Sequence, residues 1–265
     1  MQTYTTNHAP SVLQTHSWRT LTNSASYLLP YLHPNMRILD IGCGPGSITL
    51  DFARHVPTGH ITGLDSSPDP LPTARSLAAS QNLTNIEFLV GDIHSLPFES
   101  NTFDLVHVHQ VLQHIADPVQ ALREMRRVAK PNGIVAARES SSMSWYPANE
   151  GLELWWEVTG RMGREMGGNP HPGNRIHVWA VEAGFERGSV RRSAGTWCFS
   201  GDEERRYWGG SMAGRARESG FVDLALKGGF AGREELGRIV SGWEEWVDCE
   251  DGWFGVLHGE IVCFK

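Results

Sequence analysis

The chain has 265 residues, 40% of them hydrophobic and 20% charged, and a formal net charge of −7. That length suits one large α/β domain, or a domain carrying a sizeable insertion, and the acidic balance argues against broad binding of nucleic acid or of an anionic membrane. No apolar run is long enough to span a bilayer, and the first 18 residues lack a basic stretch followed by an apolar core. Cys43, Cys198, Cys249 and Cys263 form neither a CxxC pair nor a zinc pattern, so reduced thiols, a cytoplasmic location and no metal centre are expected.

From Ser11 to Leu32 apolar residues recur at helical spacing, with Arg19, Asn23 and Tyr27 along one polar face. That stripe is either a solvated face or a lid over a ligand, and the segment 11–33 is taken as an N-terminal lid helix. Ile38, Leu39 and Ile41 make a short buried strand closed by Asp40, and the glycine turn Gly42-Cys43-Gly44-Pro45-Gly46 leads into a helix from Ile48 to Arg54. A second strand, His60 to Asp65, ends in an acid. Pro68, Pro70 and Pro72 delay the next helix to about Leu71. Asn85 to Val90 is a third strand, with Gly91-Asp92-Ile93 at its exit. Phe103 to His109 is a fourth. Asp117-Pro118 marks a helix start, with an N-cap and a proline at the first helical position. Pro131-Asn132-Gly133 stops that helix, and Ile134 to Ala137 is a fifth strand ending at Arg138-Glu139. Strands alternating with helices predict a parallel sheet with right-handed crossovers.

Composition changes near Ser140, after which nine of the ten tryptophans lie. Helices are predicted from about Ala148 to Glu165, Ile176 to Ala183, Asp202 to Glu218 and Arg233 to Val247, and strands over Ser189 to Phe199 and Trp253 to Phe264. The expected fold is a Rossmann-like α/β sheet of seven strands, mostly parallel with the last antiparallel, helices on both faces and a helical cap. It is read as one domain over 1–265: a cofactor-binding core at 34–140, cap and substrate region at 141–187 and 201–250, and hairpin strands at 188–200 and 253–264.

Asp40, Asp65 and Asp92 follow three successive strands, so they share the sheet edge where ligands bind in open α/β folds. Asp65, about 20 residues past the glycines, suits a ribose diol. Asp92 could accept from an adenine amino group beside an Ile93 wall. The glycine spacing is GxGxG rather than the GxGxxG of dinucleotide sites, and no phosphate-binding Lys or Arg follows it. A carboxylate at Asp40 would repel phosphate and favour a cationic end. A nucleoside joined to an amino acid through a sulfonium, S-adenosylmethionine, meets these demands.

The stretch Asp40-Ile41-Gly42-Cys43-Gly44-Pro45-Gly46, with Asp65, Gly91-Asp92-Ile93 and Phe103-Asp104-Leu105-Val106, resembles the class I S-adenosylmethionine-dependent methyltransferases, nearest to the ubiquinone/menaquinone-biosynthesis C-methyltransferase type (methyltransferase domain 11/25 group). The resemblance covers roughly residues 16–140. It implies that Gly42, Gly44 and Gly46 cradle the methionine part, that Asp65 takes the ribose and that Asp92 and Ile93 take the adenine. Asp40, Cys43, Ser66, His109, Gln110 and Arg19 complete the expected cofactor shell, and S-adenosylhomocysteine is the expected product.

For the acceptor side, His109, Glu139 and His114 are the candidate bases, and for His109 a role as pocket wall remains equally open. His107 and His109 share a strand face, but no third metal ligand accompanies them. Class members that methylate nucleobase nitrogens often carry an Asn/Asp-Pro-Pro-Tyr box after the fourth strand, where this chain has His-Gln-Val-Leu. A small molecule walled in by Trp18, Trp145, Tyr146 and Trp208 is therefore the expected acceptor, with no nucleic acid or membrane partner; a homodimer is compatible. A regulatory or scaffold protein without turnover, and a methyltransferase fold redirected to other small-molecule chemistry, stay open as alternatives.

Overall fold

The computed structural model describes Thr15 and residues 18–265. Its centre is a seven-stranded sheet, β1 (Arg37–Ile41), β2 (His60–Asp65), β3 (Ile86–Val90), β4 (Phe103–His109), β5 (Ala129–Tyr146), β6 (Val190–Phe199) and β7 (Trp253–Phe264), in the order β3-β2-β1-β4-β5-β7-β6. The first five strands are parallel, and β7 runs antiparallel to both β5 and β6. The strand order turns about β1, so the crevice between the carboxyl ends of β1 and β4 is where such a sheet takes its ligand. The apolar runs that predict these strands are buried on both faces, as parallel central strands must be: Leu39, Val106 and Val135 face one core, and Ile38, Leu105 and Ile134 the other.

The leading segment departs from the expected long helix; residues 1–14, 16 and 17 lie outside the described part. Thr20 and Asn23 form a reciprocal capping box, so a helix α1 (Leu21–Ser24) starts at Leu21 rather than continuing from upstream. It ends after four residues because the Asn23 carbonyl is turned inward, accepting from Trp197 Nε1 at 2.7 Å and Arg138 at 3.0 Å. A 3-10 turn, Ser26–Tyr31, follows. Arg19, Asn23 and Tyr27 therefore form no solvated stripe.

The core helices match their signals. They are α2 (Ser47–His55), α3 (Leu71–Ser80) and α4 (Pro118–Val128), the last capped by Asp117, whose side chain accepts from Gln120 N. The largest difference lies in β5. The sequence predicts a strand over Ile134 to Ala137, yet β5 runs on to Tyr146, paired with β7 down to Trp253 after a register shift between Ser140 and Ser142. Beyond Ser140 the two strands continue, with β6 still paired to β7 as far as Phe199, as a three-stranded ribbon. Helices α5 (Glu150–Glu165), α6 (Ile176–Glu182), α7 (Asp202–Glu218), α8 (Gly220–Lys227) and α9 (Arg233–Asp248) complete the chain; α8 was not anticipated. Helices α5, α7 and α9 pack with that ribbon around a separate core in which Trp243 crosses Trp155 edge to face at 5.0 Å and meets Trp246 and Phe254.

Trp243 is fully buried at the centre of this second core. Trp243→Ala is expected to cost about 3–5 kcal/mol of stability, the range for emptying a large aromatic site, measured by urea unfolding; a loss below about 1 kcal/mol would mean that the cap core is not packed in this way.

Candidate functional site

The glycine turn leaves β1 with Gly42, Gly44 and Gly46 all at positive φ (69°, 53° and 86°). A Cβ at Gly42 would stand 2.3 Å from Val111 Cγ2, so this glycine permits close approach of the β4 exit. At Gly44 a Cβ would meet nothing within 4 Å, because this residue faces an open cavity. Asp65 supports the turn from β2: one carboxylate oxygen accepts from Gly44 N at 2.9 Å and the other from Ser67 N at 3.0 Å. Asp40 is buried at the floor, accepting from His107 Nδ1 at 2.7 Å and Thr49 Oγ1 at 2.6 Å. These contacts fix both carboxylates in place while leaving them in the cavity wall.

This first cavity, about 1050 Å³ with its mouth included, is lined by Arg19, Asp40, Gly42, Cys43, Gly44, Asp65, Ser66, His109, Gln110 and His114 among others. Most of the expected cofactor residues are thus brought together. Gly46 serves instead as the left-handed N-cap of α2, packed on Leu50, Ala74 and Phe88. Asp92 and Ile93 lie outside the lining. The Asp92 side chain is largely exposed, and bonds from the His94 backbone and ring hold its carboxyl below the usual range.

A second cavity, about 1230 Å³ on the same measure, opens beneath the cap and shares Arg19, Gln110 and His114 with the first. Trp155, Thr159 and Met162 on α5, and Trp208, Met212 and Arg215 on α7, line it from one face of each helix. Trp197, Met143 and Val256 add the sheet side. Of the four aromatics expected around an acceptor, only Trp208 lines this space. Trp18 packs on Trp197, Phe199 and Tyr207, Trp145 stacks on Phe254, and Tyr146 is 59% exposed. The helical spacings 155/159/162 and 208/212/215 are visible in the sequence and would have found the wall that the tryptophan count missed.

The candidate bases separate. Glu139 is fully buried and accepts from Val111 N (2.8 Å), Leu112 N (2.7 Å) and Gln113 N (3.4 Å), capping the turn after β4. Burial pushes its pKa up to about 7 against the pull of those donors. It lines neither cavity, and its carboxylate is engaged by the three backbone N–H groups of that turn. His109 stands in the first cavity with neither ring nitrogen hydrogen-bonded to a described residue, its pKa held well below the ordinary value by burial and by Arg19 and Arg138. His114, on the wall common to both cavities, is lowered to about 4 by burial, with Arg19 and Arg215 adding to the shift. His107 is committed to Asp40, and no group of three or more potential metal ligands occurs among the described residues. Gln110 bridges Arg19, from which it accepts at 2.7 Å, and His258, 3.0 Å from its amide nitrogen. No described helix is long and apolar enough to cross a membrane.

A family model described as a methyltransferase domain matches residues 32–162. An uncharacterised methyltransferase of Schizosaccharomyces pombe is 35% identical over all of this chain and 97% of its own length. The demethylmenaquinone methyltransferase of Staphylococcus aureus is 40% identical over 106 residues, 40% of this chain and 43% of that protein. Among solved structures, the YcgJ protein of Bacillus subtilis superposes with a TM-score of 0.58 at 19% identity, covering 89% of this chain and 94% of that one.

The buried histidines set the pH dependence of stability. His109 is lowered, His114 and His171 fall to about 4 and His258 to about 2, each chiefly through burial. Unfolded histidines titrate near 6.5, so below that pH the unfolded state binds protons that these four cannot, and stability drops by up to about 1.4 kcal/mol per pH unit for each. Glu139, raised to about 7, acts in the opposite sense: its contribution is present below about 4.5 and lost through 7. Four groups against one make stability fall from pH 7 to pH 5; unfolding midpoints that stay level or rise over that interval would contradict the burial of these rings.

Proposed function

The chain belongs to the class I S-adenosylmethionine-dependent methyltransferases, and on that footing we propose that it methylates a small, largely apolar acceptor seated in the second cavity. The reading is carried by one observation: the cavity of the glycine turn and the cavity beneath the cap have a common wall at Arg19, Gln110 and His114.

The first cavity fits the cofactor. The open space beyond Gly44 is the cradle, Asp65 stands where a ribose diol would be taken, and Asp40 offers negative charge to the ammonium and sulfonium end. When bound, S-adenosylmethionine supplies a methyl group already activated by its positive sulfur. The residues of the chain then have to align the acceptor with that carbon and keep water out, which are the two contributions that displacement at carbon needs most. Gln110 and Arg19 hold one another across the junction. His109 and His114 are neutral at physiological pH and are weak bases, so they can accept a hydrogen bond from an acceptor but remove a proton poorly. Catalysis in this reading rests on positioning.

Incubation with methyl-labelled S-adenosylmethionine and a cell extract, followed by ultrafiltration, tests the acceptor class. Label is expected in the small-molecule filtrate, matched by S-adenosylhomocysteine; label confined to protein or nucleic acid would overturn the reading. For the cofactor, Asp65→Ala should weaken S-adenosylhomocysteine binding by about ten- to a hundredfold in a calorimetric titration, the worth of a carboxylate-to-hydroxyl hydrogen bond of about 1.5–3 kcal/mol. Unchanged affinity would remove Asp65 from the site.

A further inference from the structure

We propose that the acceptor is an apolar organic anion, a hydrophobic carboxylate being the simplest case, whose charged end is taken by Arg215. This rests on the reading that the second cavity holds the acceptor.

The charge inventories of the two cavities differ. The first contains Asp40 and Asp65, with Arg19 on the wall that it shares with the second. The second has Arg19 and Arg215 and no aspartate or glutamate among its described lining residues, in a chain with 30 acidic and 23 basic residues. The segment before Asp40 contains no acid at all, so the amino-terminal residues outside the described part bring none to it. A cationic guest would face two guanidinium groups, that of Arg215 donating also to Thr15 Oγ1, and no carboxylate among the described lining residues. An anionic guest would find its counter-charge in place.

The neutral polar groups of the cavity point the same way. Thr159 Oγ1 and Trp208 Nε1 are buried and have no hydrogen-bond partner among the described residues. Buried polar groups are almost always satisfied, so such groups on a cavity wall are places for a ligand. An indole N–H can only donate, and a hydroxyl can donate as well as accept. Donors in a wall that also carries a guanidinium suit a guest with negatively charged oxygen atoms. The rest of the wall, with Trp155, Trp197 and Met212, takes apolar bulk. The depressed pKa of His114, to which both Arg19 and Arg215 contribute after burial, reflects the same positive field.

Arg215 is the discriminating residue, because Arg19 also lines the first cavity whereas Arg215 lines the second alone. The test uses the full chain saturated with S-adenosylhomocysteine and follows tryptophan fluorescence, since Trp155, Trp197 and Trp208 report on this space. Three probes of equal bulk are titrated: 4-phenylbutanoate, its methyl ester and 4-phenylbutylamine. The acid is expected to bind at least tenfold more tightly than the other two. Arg215→Met should abolish that preference while leaving ester binding and S-adenosylhomocysteine affinity unchanged, and Arg215→Lys should retain most of it. An unaltered near-ultraviolet circular dichroism spectrum would show that each variant is folded. Equal binding of acid and ester, tighter binding of the amine, or a preference that survives Arg215→Met would overturn the inference and leave the acceptor cavity standing. Failure of all three probes, with S-adenosylhomocysteine still bound, would overturn both.

Discussion

The guanidinium of Arg138 is the contact on which the arrangement depends. It is 2% exposed, at the point where β5 leaves the sheet for the cap. One amino group donates to the Asn23 carbonyl at 3.0 Å and the other reaches His258 Nδ1 at 3.2 Å. Glu260 supplies the counter-charge at 3.7 Å, and the Trp197 ring lies 5.4 Å away. Four parts of the chain that are remote in sequence are thereby fastened at one buried point. Removing one partner of such a pair leaves an uncompensated charge in a low dielectric, at a cost of about 3–5 kcal/mol. Desolvation lowers the Arg138 pKa from its usual value, but a guanidinium starts so high that it stays charged.

From Arg138 a polar thread runs outward through His258 and Gln110 to Arg19, which stands on the wall between the cavities. Gln110 itself sits at φ 54°, a left-handed conformation that a residue with a side chain adopts at a cost of about 1–3 kcal/mol. The surrounding bonds hold it there: its N–H donates to the Arg138 carbonyl at 2.8 Å, and its side chain is fixed at both ends. The strain turns the chain sharply at the end of β4, so that Val111 closes on Gly42 and the following turn is capped by Glu139. The same local geometry thus shapes the mouth of the first cavity and the partition of the second.

How far the sequence discloses this depends on the range of each interaction. Strands β1 to β4 and their terminal acids are legible because a parallel strand buried on both sides must be an apolar run, and its exit must be polar. The Asp117-Pro118 cap is legible because it is satisfied within one helical turn. The overshoot of β5 is harder to see. Its second half, Ser141-Ser142-Met143-Ser144-Trp145-Tyr146, alternates polar and apolar residues as a half-exposed ribbon does, but the serines suggest a loop. Glu139 misleads for another reason: an acid after a strand looks the same whether it faces a ligand or three backbone N–H groups. The wall of the second cavity is legible only in fragments: the 208/212/215 spacing shows along α7, but Thr159 on α5 joins it only through the fold, in which α5 and α7 each pack on α9.

The charges of the two cavities then bear on the chemistry. On the proposed reading Asp40 would face the positive end of the cofactor, while Arg19 stands on the wall common to both cavities and Arg215 lines the second alone. Methyl transfer removes the charge on sulfur, so a guest whose own charge is cancelled in the same event loses little from an apolar setting. Coulombic interaction over about 4 Å strengthens several-fold as the effective dielectric falls from that of water to that of a partly buried site. A cavity walled by tryptophan and methionine side chains and carrying the Arg19 and Arg215 guanidiniums would hold such a guest, on the proposed reading, in the medium where its approach to a cation is most favourable. Burial of the histidines and enclosure of the second cavity are two consequences of the same packing, the docking of α5, α7 and α9 on the β5–β7 ribbon.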